Sequence, residues 1–249
     1  MTNIRMCLPY NNYPMMFTKL FLFILTFSFF SVTAQELSGG ELLNKAIQYH
    51  DPNGAWPGFK GKMQITMSTP DGKDRVSAIT MNLPKEYFQV VATKDGVTLS
   101  QTVDKDNCEL ALNGSTDISE DDKKKHRLTC DRATMYKDYY TYLYGLPMKL
   151  KDPGTLVAPK TEKRTFKGKT YLVLKATYEK EVGEDVWYFY FDPNTYAMEV
   201  YQFYHDESKN DGEYILLTGE QEIAGIKMPK TRAWYYNKDD KYLGTDVLN

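Results

Sequence analysis

The sequence has 249 residues, and its 31 Lys and Arg against 33 Asp and Glu give a net charge of −2 at pH 7. Such a chain lacks the concentrated positive surface that binds nucleic acid, so we exclude nucleic acid as a partner. The length is sufficient for one large domain or two small ones, each with its own core.

The first predicted element is an export signal. Residues 20–30 form an uncharged apolar run that follows a lysine, and Val32 and Ala34 are placed like the small residues of a cleavage site. This pattern is typical of a cleaved secretory signal. A transmembrane anchor requires about 20 consecutive apolar residues, which is more than this run provides. We therefore predict that residues 1–34 are a signal peptide that is removed.

Removal of the signal would leave a mature chain that begins near Gln35. It takes away two basic residues and no acidic residue, so the net charge becomes −4. We expect a periplasmic or secreted protein that is soluble after cleavage. We also expect no transmembrane segment in the mature chain and a single domain over residues 35–249. The polar stretch before the apolar run leaves the translation start open between Met1, Met15 and Met16.

Two cysteines remain after cleavage, Cys108 and Cys130. In an oxidising compartment a pair of cysteines favours one disulfide, and we predict this bridge. The alternative is two free buried thiols. A metal site is a weaker interpretation because there is no CxxC pair.

A helix and then mostly strands follow in the mature chain. Ser38 and Glu41 have the spacing of a capping box, and apolar residues at helical spacing continue to position 49. Extended runs separated by Gly, Pro and Asn turns then predict an antiparallel meander. The clearest predicted strands are residues 74–83, 86–93, 97–104, 170–179, 186–191, 196–204, 213–223 and 227–236.

A helical block interrupts the predicted sheet. Residues 116–128 are highly charged and indicate a solvated short helix or loop. Residues 131–144 carry an apolar and aromatic stripe at helical spacing, followed by Gly145 and Pro147, which are typical of a helix end. The element order is therefore helix, strands, helix, strands, without an internal repeat.

Motifs that would indicate catalysis or a cofactor are not found. The sequence has no GxSxG, HExxH, GxGxxG or phosphate-binding glycine loop, so we expect no cofactor and no metal. Two clusters contain catalytic residue types: His50 beside Asp51, and His205 beside Asp206 and Glu207. Each could act as an acid–base pair. Each is also explained structurally, by a helix end for His50 and a strand end for His205.

Aromatic residues are abundant, with 20 Tyr and 12 Phe, and they occupy both faces of the strand at 186–191. Either helices cover one face while tyrosines line the other surface, or a curved sheet holds an apolar ligand. For the second interpretation we predict a ligand pocket between the helix at 131–144 and the sheet. Its predicted lining residues are Tyr136, Tyr140, Leu143, Trp187, Phe189, Phe191, Tyr201 and Phe203.

The chain resembles an uncharacterised family of secreted Gram-negative proteins. The similarity covers nearly the whole mature chain and is carried by five motifs: His50-Asp51-Pro52-x-Gly54-x-Trp56, residues 142–148, Trp187 to Pro193, residues 212–215, and Lys227-Met228-Pro229-Lys230-x-Arg232-x-Trp234-Tyr235. In architecture it also resembles the periplasmic lipoprotein-carrier, or outer-membrane lipoprotein-sorting, superfamily. That resemblance implies an incomplete barrel with helices over its concave face and a cavity for acyl chains.

Together these observations predict an α+β fold. The expected architecture is a strongly curved antiparallel sheet, an open half-barrel of about eleven strands, with two or three helices on the concave face. The expected function is non-catalytic binding of an amphipathic or lipid-like ligand in the cell envelope. Three alternatives remain open: an envelope scaffold that interacts with an unknown protein partner, a hydrolase that uses His50 or His205 with nearby carboxylates, and a ligand sensor.

Overall fold

The computed structural model describes residues 37–70 and 72–249. The predicted signal and its cleavage site therefore lie outside the described residues. Glu36–Asn249 forms one compact unit. Among the helices within the described ranges, none is long and apolar enough to cross a membrane.

Helix α1 spans Gly39–His50 and begins as its capping box predicts. The Ser38 backbone N–H donates to Glu41 Oε2 at 2.8 Å, and the Glu41 N–H donates to Ser38 Oγ at 3.3 Å. The box satisfies backbone groups that a helix end otherwise leaves free. Leu42 and Leu43 bury the apolar face of the helix against the sheet.

In the described part of the chain, thirteen strands form one antiparallel sheet, so the prediction of about eleven strands was too low. The strand order is β5-β4-β3-β2-β1-β13-β12-β11-β10-β9-β8-β6, and β7 pairs with β8 beside this path. Within residues 37–70 and 72–249, no pairing between the end strands β5 and β6 closes this sheet into a barrel. The strands are β1 (Lys60–Ser68), β2 (Arg75–Asn82), β3 (Tyr87–Lys94), β4 (Val97–Asp104), β5 (Asn107–Leu112), β6 (Thr155–Val157), β7 (Glu162–Phe166), β8 (Lys169–Tyr178), β9 (Val186–Phe191), β10 (Met198–Tyr204), β11 (Glu213–Ile223), β12 (Ile226–Tyr236) and β13 (Tyr242–Leu248).

Two further α-helices and a short 3-10 helix, Met148–Lys151, lie between β5 and β6. The charged segment forms the short helix α2, Glu120–His126, and the aromatic segment forms α3, Cys130–Gly145. Cys130, the first residue of α3, is joined to Cys108 on β5 by a disulfide with the Cα atoms 5.8 Å apart. This bond fixes the start of α3 to the edge strand of the sheet.

The core is divided between the two faces of the sheet. Helices α1 and α3 cover one face, where the main cluster includes Ile79, Phe88 and Leu174. A second cluster of tyrosines and valines lies on strands β8 to β10, and Phe166 of β7 packs against it. Strand β9 carries aromatic residues at successive positions, which point to opposite faces of the sheet. Both faces can be aromatic because each is covered by other parts of the protein along part of the sheet.

Candidate functional site

Most of the predicted ligand-binding residues lie in the packed core between α3 and the sheet. Five of the eight have an exposed fraction of 3% or less: Tyr140, Leu143, Phe189, Phe191 and Tyr201. The other three, Tyr136, Trp187 and Phe203, are partly buried against the same cluster. Of the eight, only Trp187 lines either of the two cavities described next.

The larger of these cavities is a groove beside α3, with a volume of about 610 Å³. Its floor is aromatic: Trp187 lies edge-on to Tyr142 with ring centroids 5.6 Å apart, and the hydroxyl groups of Tyr142 and Tyr178 are in contact. Val182, in the turn between β8 and β9, is 56% exposed at its side. The remaining lining residues are Lys137, Asp138, Tyr139, Thr141, Lys149, Gly183 and Asp185.

A smaller cavity of about 320 Å³ lies over strands β1, β13 and β12. Its walls include Tyr139 and Trp234, whose rings are stacked at 6.4 Å, and the carboxylates of Glu213 and Asp246. Met67, Leu243, Gly244 and Thr245 complete the lining. Because Tyr139 lines both cavities, the two sites are adjacent on the surface of the protein.

Charged residues lie in one row across the sheet at the base of the smaller cavity. Asp246 pairs with Met67 on one side and with Arg232 on the other, and Met67 pairs with Arg75. Arg232 is completely buried, with its guanidinium 3.8 Å from the centre of the Tyr144 ring. Burying the charged side chains of this row costs free energy, so the helix-covered face is not a simple apolar core at this point.

Polar atoms without partners collect in the same region. They include the Nε atoms of Arg75 and Arg232 and the hydroxyl groups of Tyr144 and Tyr201. Each of these four atoms is buried and has no hydrogen-bond partner among the described residues. An unpaired buried polar group typically costs about 1–3 kcal/mol. Departures of this kind from the rules of core design are concentrated at functional sites in natural proteins.

The pKa of Asp246 is raised by burial, although Arg232 and Arg75 act in the opposite direction. The carboxylate accepts a hydrogen bond from Trp234 Nε1 at 3.2 Å, which orients both side chains. Burial also raises the pKa of Glu213, at the opposite wall of the cavity. Sequence reasoning did not identify Asp246, Arg232 or Trp234 as site residues. For Asp246 and Arg232, the signal in the sequence is a charged residue at an inward position of a period-two strand pattern.

His50 is occupied by backbone contacts. It is 1% exposed, its Nδ1 lies 2.7 Å from the Lys227 carbonyl oxygen, and its Nε2 accepts from the Met198 N–H at 2.9 Å. Burial lowers the pKa of its imidazole. The neighbouring Asp51 accepts the backbone N–H groups of Ala55 and Trp56. In this arrangement His50 and Asp51 join α1 to the sheet and to the loop that follows it.

His205 lies far from His50 and has a different environment. His50 contacts the start of β10 and His205 follows its end, so the separation along the strand is roughly 23 Å at about 3.3 Å per residue. His205 Nδ1 is 2.7 Å from Asp185 Oδ1. Glu207 instead accepts from the Tyr188 hydroxyl and from Lys175. The two predicted histidine clusters are therefore not combined in one site.

The His205–Asp185 pair predicts a pH response. Its hydrogen bond to Asp185 raises the pKa of His205 above 6.5. The stabilising contribution is thus fully present below pH 6.5 and is lost as the pH rises through the folded-state pKa. In an NMR titration of the imidazole we expect a midpoint above 6.5, and a lower one in Asp185→Asn. Identical midpoints in both proteins would contradict the pairing.

Comparison with known proteins identifies the fold and the family. No curated protein matches the chain. A LolA superfamily protein from Nitrosomonas europaea has a similar structure, with a TM-score of 0.50 at 11% identity over 86% of this chain and 92% of that chain. A DUF1329 family protein from Desulfovibrio piger gives a TM-score of 0.46 at 8% identity, covering 85% and 90%. A domain assigned to outer membrane lipoprotein sorting from Vibrio parahaemolyticus gives 0.42 at 10% identity, covering 84% and 88%.

The similarity to the LolA superfamily protein confirms the expected resemblance in architecture to the lipoprotein-carrier superfamily. Because the sequence identity is low, this similarity concerns the fold alone. The expected uncharacterised family is also confirmed by a family model that matches residues 18–248. The chain belongs to the family of unknown function DUF6503.

Proposed function

We propose that this protein is an exported, non-catalytic binding protein for an amphipathic or lipid-like ligand of the cell envelope. The observation that carries the proposal is the groove beside α3, which combines an apolar floor with a charged rim. Its volume of about 610 Å³ falls within the 300–1,000 Å³ range typical of ligand sites. The export signal of residues 1–34 supplies the envelope location and is part of the proposal.

The floor of the groove suits an acyl chain. Trp187 stacks on Phe203 with ring centroids 4.8 Å apart, so its indole is supported from the core side. Tyr142, Tyr178 and Val182 extend this apolar surface toward solvent. Burying a methylene group contributes about 0.8 kcal/mol, so six methylenes would support measurable affinity. A chain lying here would need no rearrangement of the residues packed beneath α3.

The rim of the groove suits a polar headgroup. On α3, Asp138 is exposed and Lys137 is half-buried, while Asp185 follows the turn that contains Val182. Charges of both signs at the rim keep a headgroup hydrated and oriented while the chain lies on the floor. The groove thus has the two-part character of an amphiphile site.

The test is titration of a fluorescent fatty acid into the mature protein and into Val182→Asp. We expect binding by the natural protein and at least a tenfold loss in the variant. A carboxylate at this turn would have to be desolvated under the chain and would repel the fatty-acid headgroup. Val182 is exposed in a turn, so the substitution should leave the fold intact.

Leu156→Asp is the matched control. Leu156 is 51% exposed on strand β6 and is not among the lining residues of the groove. We expect this variant to bind the fatty acid as tightly as the natural protein. Equal affinity in all three proteins would place the ligand elsewhere. A complete lack of binding by the natural protein would favour the alternative of an envelope scaffold.

The hydrolase alternative has less support from the geometry. Both ring nitrogens of His50 contact the backbone, and His205 lies at a separate site with Asp185. A hydrolase needs a base within hydrogen-bond reach of its nucleophile or water. The alternative would be favoured over binding only if the mature protein cleaved an ester and if His205→Gln abolished that cleavage.

A further inference from the structure

The smaller cavity over β12 and β13 has a chemistry different from that of the groove. Two aromatic rings and two carboxylates face it, and none of its lining residues within the described part of the chain is Lys, Arg or His. We propose that this cavity binds an organic cation, an alkylammonium group. This inference goes beyond the amphiphile groove and does not require an acyl chain.

The aromatic walls supply the first half of the recognition. Tyr139 of α3 stacks with Trp234 of β12, and the edge of Trp234 meets Tyr201 at a ring separation of 6.3 Å. The faces of Trp and Tyr attract cations within about 6 Å, and quaternary ammonium groups are recognised in this way by aromatic cages. Trp234 is the stronger of the two rings for this interaction.

The carboxylates supply the second half. Asp246 is 8% exposed, and its Oδ2 is held by the Trp234 N–H. Its other oxygen makes no hydrogen bond to a described residue, so it retains an acceptor for a ligand at the cavity it lines. Glu213, half-buried on β11, lines the same space. The negative charge of these carboxylates attracts the cation electrostatically and adds to the attraction of the rings.

The two nearby arginines do not occupy this site. Arg232 stacks on Tyr144 and donates to the carbonyl oxygen of Pro229 at 2.9 Å. Arg75 donates to the Tyr140 hydroxyl at 3.4 Å. Their positive charge offsets part of the burial penalty on Asp246 and so helps the carboxylate to remain ionised beside a ligand.

The size and the donor set favour an organic cation over a metal ion. A volume of about 320 Å³ exceeds the needs of a bare ion, and two of the walls are aromatic. In the described ranges, no group of three or more His, Cys, Asp and Glu side chains is placed to hold a metal. An alkylammonium group matches both the rings and the carboxylates.

The test is calorimetric titration with choline and with its uncharged isostere, 3,3-dimethyl-1-butanol. We expect choline to bind and the neutral isostere to bind at least tenfold more weakly, because only the charge distinguishes them. Equal binding of the two compounds, or no heat from choline, would overturn the proposal.

Three variants locate the site. Asp246→Asn keeps the shape of the side chain and an acceptor for Trp234, and we expect at least a fivefold loss of choline affinity. Glu213→Gln, at a more exposed position, should also weaken binding and serves if Asp246→Asn does not fold. Glu222→Gln changes an exposed carboxylate on the same strand as Glu213 and should bind choline normally. Unchanged affinity in both pocket variants would refute the site.

A longer ligand distinguishes a free cation from a lipid headgroup. Dodecyltrimethylammonium, used below its micellar concentration, carries the same charge with an added chain. Tighter binding than choline by tenfold or more would indicate a headgroup whose chain enters the neighbouring groove. Similar binding would indicate a small free cation. Because choline has no chain, failure of the fatty-acid titration would leave this result unaffected.

Discussion

Gly39→Ala is expected to lower the free energy of unfolding by about 3 kcal/mol, the upper part of the range for overpacking. A Cβ atom at Gly39 would lie 1.9 Å from the carbonyl oxygen of Ala158. That oxygen belongs to the backbone of a segment held in place by the Gly39 N–H, which donates to Pro159 O at 2.9 Å. Helix α1 would have to move off the sheet to admit one methyl group.

The neighbouring glycine provides the control for this prediction. A Cβ at Gly40 would meet nothing within 4 Å. Gly40→Ala should therefore stabilise the protein by roughly 0.5 kcal/mol, because alanine loses less backbone freedom on folding. Urea unfolding of both variants measures the difference. Equal stability of the two proteins would show that the start of α1 is not held against residues 158–160.

Replacement of the disulfide is expected to cost roughly 3 kcal/mol. The bond closes a loop with a sequence separation of 22, and loss of the loop constraint increases the entropy of the unfolded chain. The double variant Cys108→Ser/Cys130→Ala removes both sulfurs from the joint between β5 and α3. Its free energy of unfolding should match that of the natural protein after reduction with dithiothreitol.

Thiol labelling gives an independent measurement. In denatured but unreduced protein comprising residues 35–249, we expect neither Cys108 nor Cys130 to react with iodoacetamide, whereas both should react after reduction. Labelling of both residues without reduction would refute the bond. A double variant with unchanged stability would instead show that the loop between β5 and α3 is already restricted in the unfolded chain.

Much of the secondary structure follows from local patterns. The capping box at Ser38 marks the start of α1, and the predicted helix at 131–144 is α3 with one residue added at each end. The predicted strands at 97–104 and 213–223 have the observed bounds. These elements could be predicted because turns and periodicity are properties of neighbouring residues.

Elements with little local signal were harder to predict. Strand β6 has only three residues, and β7 lies beside the main strand order. Strand β13 is held by pairing with both β1 and β12. Pairing between distant segments leaves no periodic pattern in either sequence. For this reason the strand number was underestimated and the pairing of β1 with β13 was not predicted.

The predicted ligand residues show the same limit. Period-two spacing correctly placed Phe189, Phe191 and Tyr201 on the helix-covered face, but spacing does not distinguish a packed face from a lined cavity. The two cavities lie beside α3, where the helix no longer covers the sheet. Their positions depend on the path of the helix across the sheet. Asp246 meets Trp234 because β12 pairs with β13 and because the Trp234 side chain donates a hydrogen bond to the Asp246 carboxylate. Neither contact has a local sequence signature.

The pairing of β1 with β13 also determines when the sheet can be completed. Ile65 lies opposite Leu248, and among the described strands of the main order the five from β1 to β5 meet the others only through β13. Contacts of such large sequence separation form slowly because the intervening chain must first be ordered. During synthesis, the outer edge of β1 therefore stays unpaired until β13 has been synthesised.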